Sequence, residues 1–95
     1  MNTRTITVVV GDEHINKGRK QSCCHCPIAL AMLDAGVLSP AVHKKAFFVG
    51  GGDDLINLPG DAIKFIDFFD NGRPVEPVSF EIDIPVAALK SEVAI

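Results

Sequence analysis

The sequence predicts one α+β domain, and three features carry that prediction. Two segments, one near each end, alternate apolar and polar residues with the period of a half-buried strand: Ile6, Val8 and Val10 among threonines, and Val78, Phe80, Ile82 and Ile84 against Ser79, Glu81 and Asp83. Two further segments carry helix punctuation, Cys26-Pro27 ahead of an alanine- and leucine-rich run and Pro59-Gly60-Asp61 ahead of an amphipathic one. Between them, two short apolar runs flank a glycine-rich turn, the pattern of a hairpin.

Length and composition bound the answer. A chain of 95 residues with 47% hydrophobic content has room for one core. A net charge of only −3 and a positive mean hydropathy exclude disorder for most of it. Residues 1–10 are polar at alternate positions and lack a small-residue cleavage site, so they do not read as a signal peptide. No stretch approaches the roughly 20 apolar residues of a spanning helix, so the expectation is a soluble protein with no membrane partner. The 3 cysteines are odd in number and clustered at Cys23, Cys24 and Cys26, which fits a reducing, cytoplasmic compartment better than a disulfide framework. Residues 1–48 hold 6 Lys and Arg against 3 Asp and Glu, and residues 49–95 hold 3 against 9. Neither half has the basic bias of a nucleic-acid-binding domain, so nucleic acid is disfavoured as a partner.

The elements follow in order. Residues 5–10 form the first strand, with Ile6, Val8 and Val10 on one face. Gly11 ends it, and residues 12–18 read as a single helical turn with Asp12 as cap and Gly18 as exit. A polar loop with Lys17, Arg19 and Lys20 leads to the helix that Pro27 opens and Gly36 stops. Apart from Asp34 this helix is apolar all round, which calls for burial on more than one side. Residues 46–49 and 55–58 are the hairpin strands around a five-residue loop, 50–54. In the second helix Ala62, Phe65, Ile66 and Phe69 share a face that Lys64, Asp67 and Asn71 avoid, and Gly72 and Pro74 close it. Pro77 and Pro85 bracket the last strand. Together these give β-α-β-β-α-β, the ferredoxin-like sandwich, with two helices on one face of a four-stranded antiparallel sheet. The domain is expected over residues 1–85, with 86–95 as a weakly helical tail, frayed or docked on a partner.

Chemistry concentrates in Ser22-Cys23-Cys24-His25-Cys26-Pro27. Three readings compete. In the first, Cys23 and Cys26 have the spacing to hold zinc, with His14, His25 and His43 as candidates for the remaining ligands, although no second ligand pair stands at regular spacing. In the second, Cys23, Cys24 and Cys26 form a thiol site whose thiolate is favoured by a helix N-terminus and by Lys17, Arg19 and Lys20. This opening superficially resembles that of thioredoxin-like oxidoreductases, but the proline follows the second cysteine and no cis-proline loop is evident. In the third, the cysteines are small hydrophobes that begin a buried helix, and this is the preferred reading. Gly50-Gly51-Gly52 lacks the lysine and hydroxyl of a phosphate loop and is followed by two aspartates, so it reads as a turn. The serines have no motif around them and no carboxylate pair marks an acid and a base, so enzyme activity is not indicated.

The run Ile6-Thr7-Val8, His14-Ile15, Gly18, Cys23-x-x-Cys26-Pro27-Ile28-Ala29-Leu30-Ala31, Leu58-Pro59, Phe65-Ile66, Phe69-Asp70, Gly72, Pro74-Val75-Glu76-Pro77 and Phe80-Glu81 resembles a set of small uncharacterised phage and bacterial proteins. That resemblance covers most of the chain and implies no activity. It implies a small accessory protein that inhibits or modulates a host macromolecule, in the host cytoplasm if phage-encoded. The expected function is therefore a non-enzymatic binding module with a protein partner or a homodimer, docking through a sheet edge or through Lys17, Arg19, Lys20, His25, Asp67 and Asp70. The alternative is a metal or thiol-redox protein centred on Cys23 and Cys26.

Overall fold

The computed structural model describes residues 3–20, 22, 24–38, 40–43, 46–48 and 55–89. The elements are β1 (Thr3–Val10), α1 (Asp12–Lys17), α2 (Pro27–Asp34), β2 (Ala41–Val42), β3 (Ala46–Phe48), β4 (Leu55–Asn57), α3 (Gly60–Asp70) and β5 (Val78–Pro85), followed by a 3₁₀ turn at Val86–Ala88. The α+β class holds, with three helices and two antiparallel sheets among the described residues.

The two alternating segments find each other. β1 and β5 pair antiparallel over their full length, placing Val8 opposite Phe80, Ile6 opposite Ile82 and Val10 opposite Val78. Directly opposite residues share a face, so one side of the ribbon becomes continuously apolar, and Val8, Val10, Phe80, Ile82 and Ile84 are buried there. The other side carries Thr5, Thr7 and Val9 against Asp83, Glu81 and Ser79, all exposed. The Thr5 hydroxyl donates to the Asp83 carboxylate across this outer face. β1 begins at Thr3, two residues before the apolar alternation starts, because β5 runs on to Pro85 and offers it a partner.

The expected single four-stranded sheet is not what the strands form. Among the described residues β2, β3 and β4 make a separate three-stranded meander, and no ladder joins it to the β1–β5 ribbon. β3 and β4 pair as the hairpin, Phe47 opposite Ile56, while the turn at 50–54 and Val49 lie outside the described residues. β2 has no counterpart in the sequence pattern. It pairs Ala41 with Phe48 and Val42 with Phe47, and two residues are too few to show any alternation.

α2 lies on β1 and also touches β2, so it joins ribbon to meander, while α3 lies on β5. Pro27, Ile28, Ala29, Ala31 and Met32 of α2 are buried, as its apolar circumference requires, and only Leu33 and Asp34 at its end are exposed. α3 buries Ala62, Phe65 and Ile66, and the Phe65 and Phe69 rings stack with centroids 6.1 Å apart. Both helices stop in the same way. Gly36 (φ 95°) and Gly72 (φ 75°) adopt the left-handed conformation that a Cβ disfavours. Val37 N–H then reaches Met32 O at 2.9 Å and Arg73 N–H reaches Phe68 O at 2.9 Å, capping carbonyls the helices leave open. Phe47, Ile28, Met32, Ile84, Val8, Val10 and Val37 are the largest fully buried side chains, and among the described residues no buried side chain is polar or charged. After β5 the chain folds back: Leu38 N–H donates to Ala88 O at 2.8 Å and Ala88 joins the core.

Candidate functional site

The region marked most strongly by sequence runs from His14 through the basic loop to Cys26 at the start of α2. α1 reaches it as a six-residue helix with no buried residue, and Gly11 is its N-cap with Asp12 the first helical position. Gly18 leaves α1 in extended backbone directly against the helix that follows: a Cβ there would lie 2.5 Å from Pro27 Cγ and Cδ. Glycine is needed at this position for contact, not for conformation. The loop then closes on itself, with Arg19 N–H donating to His25 O at 2.7 Å and His25 N–H donating to Ser22 Oγ at 3.1 Å. Its tip presents Cys24 and His25 to solvent, flanked by the exposed Lys17, Arg19 and Lys20.

Cys26 does not share that exposure. It caps α2, its Sγ accepting from Ala29 N–H at 3.4 Å, and it is 5% exposed. Burial pushes its thiol pKa up, the negative charge of Asp70 adds to the rise, and the backbone N–H groups of Ala29 and Ile28 oppose it without prevailing. Desolvation thus outweighs the helix N-terminus, and the neutral thiol behaves as a capping hydrophobe. Cys23 lies outside the described residues.

His14 belongs to the opposite end of α2. Its Nδ1 accepts the Gly11 backbone N–H at 2.9 Å, so the ring proton sits on Nε2, which faces the Asp34 carboxylate at 2.6 Å. Sequence reasoning missed this pair, since nothing in the spacing of His14 and Asp34 announces it. Asp34 ends α2 and Cys26 begins it, about 12 Å apart along an eight-residue helix. His14 and Cys26 are therefore not brought together, and both nitrogens of His14 are already engaged. His43 is exposed after β2, its backbone N–H donating to Ala46 O at 2.8 Å. Among the described residues no three His, Cys, Asp or Glu side chains converge in a way that could hold a metal ion.

Of the surface residues marked by sequence, Lys20 reaches the C-terminal end of α3, the helix whose last residue is Asp70. The Lys20 Nζ sits 3.3 Å from where a Cβ on Gly72 would be, at the C-terminal end of α3, which has no basic residue in its own last turn. A cation there complements the negative end of the helix dipole. Asp67 is exposed and accepts from the Asn71 amide at 3.1 Å. Nearby, Lys64 Nζ and Arg73 Cζ stand 5.8 and 5.3 Å from the Phe68 ring centroid.

The other surface of interest is the ribbon itself. Its two outer edges are unpaired among the described residues, and they differ in chemistry. β5 carries Glu81, Asp83 and, at its end, Pro85, which has no N–H to offer; these are the devices that keep an edge from pairing. β1 carries Thr5, Thr7 and Val9 on its outer face, and its one charged residue is Arg4 near its start.

No protein family matches the chain, and no curated protein or solved structure is similar to it. Among the described residues no helix is long and apolar enough to cross a membrane.

Proposed function

We propose that this protein is a non-enzymatic binding module that docks a protein partner by strand addition along the outer edge of β1. The observation that carries the reading is the contrast between the ribbon's edges: β5 is blunted by carboxylates and proline, and β1 offers a threonine- and valine-rich edge with no strand beside it among the described residues. Backbone groups on such an edge supply affinity to any extended segment, and alternate side chains supply selectivity. A second copy of the chain is one donor the edge could accept, and a segment of another protein is the other. An accessory role, in which a small protein inhibits or modulates a larger host macromolecule, is what this mode of binding would serve and what the resemblance to phage and bacterial proteins implies. The neutral, buried thiol of Cys26 and its separation from His14 favour this reading over metal or thiol chemistry.

The test is partner capture from cells by tagged wild type and three variants. Thr7→Lys puts a charge on the β1 edge while standing opposite Glu81 within the ribbon, so the domain itself is not threatened. Ser79→Lys adds the same charge to β5, and Cys24→Ser removes the exposed thiol. A partner lost by Thr7→Lys and retained by the other two supports strand addition at β1. Retention by Thr7→Lys with loss in Cys24→Ser would move the site to the cysteine loop.

A further inference from the structure

The His14 bracket has a property that strand addition does not use. α1 is six residues long and buries none of them, and besides the half-buried Ile15, which packs against the core, it has a few further contacts. One is the Glu13–Lys17 pair at 3.3 Å, whose side chains are 77% and 71% exposed and which therefore adds little. Another is the approach of Gly18 to Pro27. The third is His14, which ties the N-cap of α1 through Nδ1 and the last residue of α2 through Nε2. The imidazole stands at the third helical position and reaches back to the N-cap N–H, the place where Glu or Gln stands in a capping box.

That position makes the bracket sensitive to protons on one side only. A neutral ring can accept at Nδ1 and donate at Nε2, whereas a protonated ring donates at both. Protonation would leave the bond to Asp34 in place and set Nδ1–H against the Gly11 N–H, two donors at a separation of 2.9 Å. It would also place a positive charge in the first turn, where the helix dipole disfavours it. We propose that His14 is an acid-released latch: protonation of its ring breaks the N-terminal cap of α1 while the tie to α2 persists. The charged groups around the ring are Asp34 from α2 and Asp12, Glu13 and Lys17 of α1 itself. β1, which also packs on α1, contributes only Arg4, six residues from its junction with α1 and about 20 Å away along the strand.

The experiment is an NMR titration toward acid of the full chain, following the His14 ring carbons and the Gly11 amide together in wild type and in His14→Gln. Glutamine at this position accepts the N-cap N–H and does not titrate. In wild type the Gly11 amide is expected to lose its hydrogen-bonded shift in step with ring protonation, and its exchange with solvent, corrected for intrinsic pH dependence, to quicken about fivefold to tenfold. In His14→Gln it is expected to hold through the same range. A Gly11 amide that stays fixed in wild type while the ring titrates would overturn the latch. So would an equal acid loss in His14→Gln, which would assign the change to the carboxylates.

Discussion

The ribbon and the meander are both antiparallel β-structure, yet they are built on different terms. β1 and β5 are eight residues each, far apart in sequence, and one face of their ribbon is buried while the other is wet. β2, β3 and β4 are two or three residues each, close in sequence, and among the described residues they bury Val42, Ala46 and, largest, Phe47. α2 is the piece that touches both. A long ribbon with one buried face specifies its own register, because a one-residue slip would turn every apolar side chain outward. The short meander has no such pattern, and Phe47 is the largest side chain that anchors it.

If that comparison is right, truncating the anchors should be costly in both sheets and should unfold them together. Phe47→Ala is expected to lose about 3–5 kcal/mol and Ile84→Ala about 2–5 kcal/mol, each in a single thermal transition, since α2 links the sheets. A Phe47→Ala variant that melts in two steps, with the ribbon unfolding as in wild type, would separate the sheets into independent units.

A smaller effect probes the link. The Cys26 thiol is held neutral by burial, so the folded chain keeps a proton that the unfolded chain gives up. The unfolded state then binds fewer protons, and stability falls as pH rises from the ordinary thiol range of about 8.5 toward the raised folded value. Chemical denaturation across that range should show a decline in wild type that is reduced in Cys26→Ala. Equal slopes in the two proteins would mean that the thiol ionises as readily in the folded state. The smallest effect belongs to the outer face of the ribbon, where Thr5→Ala removes an exposed hydrogen bond to Asp83 and is expected to change stability by no more than about 0.5 kcal/mol. A larger loss would show that this face is not freely solvated.

The same contrast explains what could be read from the sequence. Alternation gave away β1 and β5, and local punctuation gave away both long helices: Cys26-Pro27 at the start of α2, and Gly36 and Gly72 as left-handed stops. All of these signals sit within a few residues of what they specify. What escaped depends on residues distant in sequence. Two residues of β2 carry no period, and whether the hairpin joins β1 depends on where α2 sits between them. The cysteine cluster suggested convergence, but α2 separates Cys26 from His14, and burial decides the protonation of Cys26. The tie of His14 to Asp34 and the contact of Gly18 with Pro27 arise only once α1 has folded back on α2.

The claim that β1 carries an open docking edge is tested most directly by amide hydrogen exchange on the isolated protein. In a two-stranded antiparallel ribbon, alternate amides of each strand point to the partner and the others point away. With an open outer edge, β1 is expected to alternate residue by residue between protected amides, turned toward β5, and rapidly exchanging ones on that edge. Uniform protection along β1 would show that its edge is already covered within the folded chain and would contradict strand addition at that site.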